Sequence, residues 1–256
     1  MNRGLKVTAI TVAGTLLLGL SGVMWYGFSE PPVHRLPPAH NLIDATSTEG
    51  KQLLATTSAR TDYDELLPYF VSQGRRGFCG VASGSIVINA LLRPQPQLTQ
   101  TMFFTPEVSA VRSDIAVTFG GLTLSQLAAI IRAHGLNVQV VHAAQGSLES
   151  FRKVASATLA EPFEFLIVNY DRTTLKQEGA GHISPVGAYN AESDRLLVLD
   201  VAAQKYPYTW VPAQELWDAM NTVDPASGET RGFLLVRAGG AQRAVPGDAP
   251  ASRERP

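Results

Sequence analysis

The run QGRRGFCGVASGSIVINALL, from Gln73 to Leu92, decides how the rest of the chain is interpreted, because it holds Cys79, the only cysteine among 256 residues. Small and then aliphatic side chains follow the cysteine, and Arg93-Pro94 ends the run, which predicts a buried helix stopped by proline. Cys79 then lies in the first turn of that helix. Free backbone N–H groups and the positive end of the helix dipole favour a thiolate there, and thiolate is the nucleophilic form of cysteine.

A lone cysteine also has a purely structural interpretation, because free cysteines are among the most buried residue types. Gln73 precedes the cysteine in the same run, and its side-chain amide can serve as an oxyanion donor beside the thiol. The choice between the two interpretations depends on the residues that the rest of the chain brings to Cys79.

Composition limits the classes of protein that the chain can belong to. With 45% hydrophobic and 17% charged residues, it has enough apolar sequence for one well-packed domain with appendages. The net charge is -1 and charges of one sign form no long run, so a nucleic-acid partner is not expected and a small molecule is. No metal site is expected either, because the five histidines are scattered and form no Cys/His cluster: His34, His40, His134, His142 and His182.

The N-terminal 28 residues have the pattern of a membrane signal. Arg3 and Lys6 precede about 22 largely apolar residues, Val7 to Phe28, a length sufficient to span a bilayer. The apolar run ends in Met24-Trp25-Tyr26, which is typical of a membrane interface, so an uncleaved signal anchor is favoured over a signal peptide cleaved near Leu20-Ser21-Gly22.

This topology predicts a periplasmic protein tethered to the inner membrane by residues 7–28. Cysteines in an oxidising compartment are usually paired or absent. A single retained thiol there indicates that the thiol is used.

The remaining chain divides into three parts. Residues 29–40 hold four prolines and are predicted to be a stiff linker that does not pack, in which His34 and His40 are solvated. Residues 41–237 are predicted to be the globular domain, and 238–256 a disordered tail.

Within the globular part, Thr123 and Gln126 are predicted to form a capping box at the start of a helix. The stretch from Pro94 to Phe119 is predicted to be irregular. Other helices are expected near 47–57, 61–71 and 148–159, and strands near 137–143, 164–170, 182–189 and 195–202.

The last two strands are predicted to form a hairpin with the five-residue loop Asn190 to Asp194. In that register Tyr189 faces Arg195, and Asp200 is the diagonal same-face neighbour of His182. With one residue fewer in the loop, the two side chains would lie on opposite faces. Either residue alone is more simply a satisfied polar group of a strand, but an acid that ends a buried strand needs a partner to offset desolvation.

Together, a cysteine on a helix, a distant histidine on a strand, an acid on the next strand and a glutamine before the cysteine describe a papain-like thiol site. This predicts an α+β fold in which a helical part, with the cysteine helix at its start, packs on an antiparallel sheet that carries the histidine and the acid.

Four segments in order resemble the phytochelatin synthase family: Gln73–Leu92, VNYDRTTLKQEGAGHISPVGAYN, LVLDVAAQKYPYTWV and TRGFLLV, over about residues 41–237. The resemblance implies Cys79 as nucleophile, His182 as base and acid, Asp200 as orienter and Gln73 in the oxyanion hole. It also implies that Arg172 and Arg231 bind the carboxylates of a γ-glutamyl-cysteine unit, a role suited to a bidentate donor. The simpler interpretation makes both ordinary surface arginines.

The implied activity is a glutathione γ-glutamylcysteinyltransferase that releases glycine and passes the acyl unit from Cys79 to water or to another glutathione, in the response to heavy metals. The chain resembles the short bacterial members, because it lacks the Cys-rich C-terminal domain of the plant members. No cofactor is therefore expected, and a metal such as cadmium would enter as a thiolate complex of the substrate. A homodimer stays possible.

Two other functional classes stay open at this point: a general papain-like peptidase of the cell envelope, and a non-catalytic, membrane-tethered thiol-binding module in which Cys79 is structural.

Overall fold

Antiparallel β-structure forms the centre of the computed structural model, which describes residues 18–239. Its strands are β1 (Ile43–Asp44), β2 (Asn137–His142), β3 (Glu164–Asp171), β4 (Gly181–Asn190), β5 (Arg195–Val198), β6 (Thr209–Pro212) and β7 (Gly232–Arg237). In the described part of the chain they form one seven-stranded sheet of order β1-β6-β5-β4-β3-β7-β2. Strands β3 and β4, which are fully covered in their central parts, lie in the middle of this order.

The helices lie between and around these strands. They are α1 (Thr48–Thr56), α2 (Thr61–Leu66), α3 (Cys79–Leu92), α4 (Pro106–Val111), α5 (Asp114–Gly120), α6 (Leu124–Ala133), α7 (Leu148–Thr158) and α8 (Ala213–Met220), with short 3₁₀ turns at Leu67–Tyr69 and Ala143–Gln145. Residues 18–28 are also helical. The capping box predicted at Thr123 and Gln126 is confirmed, with both reciprocal hydrogen bonds formed.

The prediction that Pro94 to Phe119 is irregular was wrong, because α4 and α5 lie within it. Thr105 and Ser113 cap these helices, each side chain accepting a hydrogen bond from a backbone N–H of the first turn. The helices are only 6 and 7 residues long, too short to show a helical period of apolar residues. The capping residues Thr105 and Ser113 were the sequence features that could have predicted these two helices.

The sheet has a hydrophobic core on each face. One core contains α3 and α6 with inward side chains of the strands, including Val81, Ile86, Phe103, Leu127, Ile183 and Leu197. The other contains α7 and α8 and the opposite side chains of the strands, including Phe151, Ala155, Val168, Leu216 and Trp217. The predicted α+β architecture, with a cysteine helix packed on an antiparallel sheet, is confirmed.

The hairpin of β4 and β5 differs from the predicted one by one residue at its turn. Asn190 pairs with Arg195 and Tyr189 with Leu196, so the loop has one residue fewer than expected. A bulge between Val186 and Ala188 then shifts the register by one residue. Beyond the bulge the strands follow the predicted pairing, and Leu199 N–H donates to the Pro185 carbonyl at 2.9 Å. The bulge therefore compensates the shorter loop and returns the end of the second strand to the expected register.

The proline-rich segment 29–40 packs on the domain, contrary to the prediction of a linker that does not pack. His34 N–H donates to the Gln204 carbonyl at 3.0 Å, and Leu36 N–H to the Lys205 carbonyl at 2.9 Å. The prolines on either side of these donors, Pro31-Pro32 and Pro37-Pro38, favour an extended backbone that suits such pairing. The side chains of His34 and His40 are exposed, as predicted.

The two ends of the chain are covered in part. Most of the predicted membrane span, residues 7–17, and residues 240–256 of the predicted tail lie outside the described residues. A search of residues 18–239 finds no helix with the length and apolar character that crossing a membrane requires.

Candidate active site

The thiol of Cys79 lies at the first residue of α3, as predicted, and is buried and free of disulfide bonding. Burial acts to raise the pKa of Cys79, but a hydrogen bond from His182 and the charge of that ring oppose it. Hydrogen bonds from two backbone groups, Ile183 on β4 and Gly80 in the first turn of α3, act in the same direction as the histidine. The pKa of the thiol is therefore lowered overall, which favours the nucleophilic thiolate.

His182 is the second residue of β4 and is buried beside the thiol. Its Nε2 lies 3.0 Å from Asp200 Oδ1, which leaves the other ring nitrogen for Cys79. Burial and the charge of Arg172 act to lower the pKa of His182, whereas Asp200 and Cys79 raise it, and the net shift is upward. A lowered cysteine pKa and a raised histidine pKa together favour a thiolate–imidazolium pair.

Asp200 follows β5 and is almost completely buried. Arg172 Nη2 lies 2.8 Å from Oδ2, and the backbone N–H of Ala202 donates to Oδ1 at 2.8 Å. Burial alone would raise the pKa of Asp200, but the charges of Arg172 and His182 hold it far below its usual range. The side chain is therefore a carboxylate, and the structure brings it together with Cys79 and His182 as predicted.

Tyr170 completes the surroundings of the histidine, and the sequence reasoning missed it. It lies opposite His182 in the pairing of β3 with β4, and the two rings meet edge to face at 5.7 Å between centroids. Burial and the neighbouring Asp200 charge raise the pKa of Tyr170, so the phenol stays neutral. Its place on the strand that pairs with the histidine strand was the sequence feature that could have identified it.

Gln73 lies at the site but does not present its amide to it. Its Nε2 donates to the carbonyls of Arg75 and Arg76, each at 3.0 Å, and its backbone N–H donates to the Val201 carbonyl at 2.8 Å. The side chain therefore holds the loop before Cys79. The oxyanion role of Gln73 is not shown by this geometry, and the backbone groups of Gly80 and Ile183 are the hydrogen-bond donors placed beside the thiol.

Both arginines predicted to bind substrate are buried, so the simpler interpretation as ordinary surface residues was wrong. Arg172 uses one Nη for Asp200 and donates from the other to Gln177 Oε1 at 2.8 Å. Its guanidinium also lies 5.0 Å from the ring centre of Tyr206. Because these contacts occupy the guanidinium fork, Arg172 fixes the Asp200 carboxylate in this structure, and substrate carboxylate binding by Arg172 stays a prediction.

Arg231 has spare hydrogen-bonding capacity. Nη1 donates to Asn169 Oδ1 at 3.1 Å and lies 3.6 Å from Asp224, while the buried Nε has no partner in the protein. A Cβ at Gly181 would lie 2.3 Å from Arg231 Nη1, so the guanidinium passes against the backbone next to His182. This places a buried cation beside His182.

Metal-ligating side chains do not cluster in the described part of the chain: no group of three or more His, Cys, Asp or Glu residues is placed to hold an ion.

Comparisons with known proteins relate the chain to one family. The family model described as Phytochelatin synthase matches residues 33–233. The chain is similar to glutathione gamma-glutamylcysteinyltransferase 1 of Lotus japonicus, with 34% identity over 208 residues, covering 79% of this chain and 42% of that protein. The protein of the same name from Triticum aestivum is 37% identical over 208 residues, with the same coverage. The chain thus spans 42% of the length of these relatives.

Among solved structures, xylellain, a cysteine protease from Xylella fastidiosa, matches with a TM-score of 0.41 and 9% identity, covering 83% of this chain and 96% of that chain.

Proposed function

Because the chain belongs to the phytochelatin synthase family, we propose that it is a glutathione γ-glutamylcysteinyltransferase that works through a Cys79 thioester. The observation that carries the proposal is the buried set of Cys79, His182 and Asp200, in which the cysteine pKa is lowered and the histidine pKa raised. Such a pair supplies a nucleophile and a proton donor at the same time.

In the first half-reaction, the Cys79 thiolate attacks the carbonyl carbon of the peptide bond between the cysteine and glycine of glutathione. The carbonyl oxygen takes up the negative charge, and the N–H groups at the start of α3 stabilise it. As the tetrahedral intermediate collapses, the C–N bond breaks and the His182 imidazolium gives its proton to the glycine nitrogen. Glycine leaves, and γ-Glu-Cys stays bound to Cys79 as a thioester.

In the second half-reaction, the now neutral His182 takes a proton from the attacking group. If that group is water, the product is γ-Glu-Cys. If it is the amine of a second glutathione, the product carries one more γ-Glu-Cys unit. In both cases the C–S bond breaks and the thiolate–imidazolium pair is restored.

Arg231 is the residue best placed to bind a substrate carboxylate. It is buried beside Gly181 and His182, and its Nε has no partner in the protein. A buried guanidinium donor without a partner costs free energy, which an incoming carboxylate would recover. Arg172 supports the reaction through Asp200 instead.

Two further parts of the proposal concern the metal and the membrane. Heavy metal enters as a glutathione thiolate complex, that is as substrate, because thiolates are the ligands that soft metal ions prefer. The apolar run from Val7 to Phe28, preceded by Arg3 and Lys6, supports a tether that holds the domain on the periplasmic side of the inner membrane.

The test is product analysis by mass spectrometry of the full chain given glutathione, with and without cadmium. We expect glycine together with γ-Glu-Cys or its oligomers, and the ratio of the two products reports which acceptor dominates. Cys79→Ala must abolish both, whereas Lys153→Ala, at an exposed residue of α7 on the face of the sheet opposite α3, must not. A folded, reduced chain that releases no glycine contradicts the proposal, and cleavage of unrelated peptides would favour a general peptidase.

A further inference from the structure

The helical residues 18–28 pack on the domain through their last residues. The ring of Phe28 meets the ring of Phe119 edge to face at 6.1 Å. A Cβ at Gly27 would lie 2.5 Å from the same Phe119 ring, so the absence of a side chain at Gly27 allows this close approach. The end of the apolar N-terminal run is thereby seated on α5.

Two arginines of the loop before Cys79 hold the same end. The Arg75 guanidinium lies 4.3 Å from the ring centre of Phe28, and that of Arg76 lies 3.8 Å from the ring centre of Tyr26. Arg76 Nη1 also donates to the Tyr26 carbonyl at 2.5 Å. These cation–π and hydrogen-bond contacts join the N-terminal segment to the loop before Cys79.

Apolar side chains remain exposed on both sides of this junction. On the N-terminal segment they are Leu18, Leu20, Val23, Met24, Trp25 and Tyr26. On the domain they are Val111, Ile115 and Phe119, with 39%, 54% and 48% of their surface exposed. We call these three residues the apolar rim. Ile115 and Phe119 are four residues apart on α5 and so share a face, and Phe119 connects that face to the segment. The exposed apolar surface that Ile115 and Phe119 form next to the N-terminal segment is of the kind that marks an interaction site.

The occupant that fits this surface is a lipid bilayer. The chain before Leu18 continues apolar back to Val7, and the exposed Trp25 and Tyr26 are the residue types found at membrane–water interfaces. The Arg76 guanidinium, next to Tyr26, adds positive charge that attracts anionic headgroups, whereas Arg75 is paired with Asp114 at 3.4 Å. Lipid and headgroup chemistry therefore match the apolar side chains and the basic residue that lies next to them.

We propose that the apolar rim is a second membrane-contact surface, which enters the headgroup–acyl boundary beside the tether and lays the domain against the bilayer. The junction through Arg75 and Phe28 then fixes the loop before Cys79 close to the membrane surface. This inference rests on the tether proposed above and is independent of the acyl-transfer chemistry.

The experiment uses the full chain with Cys79→Ala, so that a single introduced cysteine can carry a fluorescent label. The label is placed at the rim by Ile115→Cys and, in matched controls on other surfaces, by Val223→Cys and Phe163→Cys, whose native side chains are 61% and 51% exposed. The proteins are reconstituted in vesicles of phosphatidylethanolamine and phosphatidylglycerol, with nitroxide groups at shallow acyl positions. We expect several-fold stronger quenching at position 115 than at either control.

Flotation of the vesicles, measured on the same samples, separates the tether from the rim. A chain that floats but shows equal quenching at the three positions overturns the rim and leaves the tether intact. A chain that does not float overturns both. Disulfide formation through position 115 between two copies of the unlabelled Ile115→Cys variant, oxidised by dissolved oxygen, together with no quenching of the labelled variant by the nitroxide lipids, identifies the rim as a contact between copies and also overturns the proposal. None of these outcomes bears on glycine release from glutathione, which is measured on the parent chain with Cys79 intact.

Discussion

The carboxylate of Asp200 joins two other buried groups of the site, the His182 ring and the Arg172 guanidinium. It accepts from His182 on one side and pairs with Arg172 on the other, and all three side chains are at least nine-tenths buried. A charge removed from water needs such partners, because its desolvation costs several kcal/mol. The arginine that the family resemblance assigns to substrate is thus also what keeps Asp200 ionised.

Arg172→Met should destabilise the fold by about 3–5 kcal/mol, because it leaves the Asp200 charge buried without its strongest partner. Urea unfolding measures this loss. The double variant Arg172→Met/Asp200→Asn removes both charges and should recover most of the stability. If the double variant is as unstable as the single one, the cost comes from lost packing of the arginine stem and not from the unpaired carboxylate.

Asp200→Asn should narrow the pH range of activity without abolishing it. The Asn oxygen can still accept from His182 Nε2–H, but the negative charge that raises the histidine pKa is lost, while Arg172 continues to lower it. The alkaline limb of kcat/KM, where the imidazolium is lost, should move to lower pH. The acid limb, where the thiolate is protonated, should move to higher pH, because Cys79 loses part of its stabilisation by the imidazolium. A profile that shifts as a whole, with both limbs moving the same way, would contradict this coupling.

At the scale of elements, the hairpin of β4 and β5 shows which features the sequence could predict. The two strands and the closeness of His182 and Asp200 were predicted correctly, because apolar runs bounded by turn residues define strands well. The loop length was predicted one residue too long, and the bulge between Val186 and Ala188 was not foreseen. A bulge depends on packing against neighbouring layers, which a single strand's sequence does not record, and the correct outcome followed because the two departures cancel.

The buried arginines and Gln73 show a second limit on what the sequence could predict, namely the partners of long polar side chains. Their residue types suggested binding roles, but which partner an Arg172 fork or a Gln73 amide takes is decided by backbone carbonyls and carboxylates brought in from distant segments. In contrast, Cys79 was placed correctly because its helix is defined by adjacent residues and ends at Arg93-Pro94.

The glycine in the bulge is expected to set the alignment of the triad. A Cβ at Gly187 would lie 3.2 Å from three carbons of the Leu199 side chain, which immediately precedes Asp200. Gly187→Ala should push Leu199 away and misplace Asp200, lowering kcat at least several-fold while the protein remains folded, since small displacements of catalytic groups have large effects. Steady-state kinetics and circular dichroism measure the two properties.

Gly146→Ala is the matched control, because its added Cβ would meet Ser150 and Trp217 only at an ordinary 3.4 Å, and Trp217 belongs to the core on the face of the sheet opposite α3. Equal losses of kcat in the two variants would show that the bulge has no special role in positioning Asp200.

At the scale of the whole molecule, the two cores are joined by one sheet, since β3 and β4 contribute side chains to both faces. Phe103 fills the core on the α3 side and Phe151 fills the other, and both are fully buried. Phe103 lies against the cysteine helix, where a Cβ at Gly84 would be 2.9 Å from its ring. The cores should therefore unfold together but differ in their connection to the site.

Phe103→Ala and Phe151→Ala should each lower the free energy of unfolding by about 3–5 kcal/mol, the usual cost of such a cavity. Each variant should keep a single transition, with circular dichroism and tryptophan fluorescence coinciding, because neither core can separate from the shared strands. Phe103→Ala should also lower kcat of the folded protein by loosening α3 beneath Cys79, whereas Phe151→Ala should leave kcat near the parent value at temperatures where the variant is folded. Two resolved transitions would show that the faces are independent units, and a loss of kcat in Phe151→Ala alone would place the mechanical support of the thiol on the opposite side of the sheet.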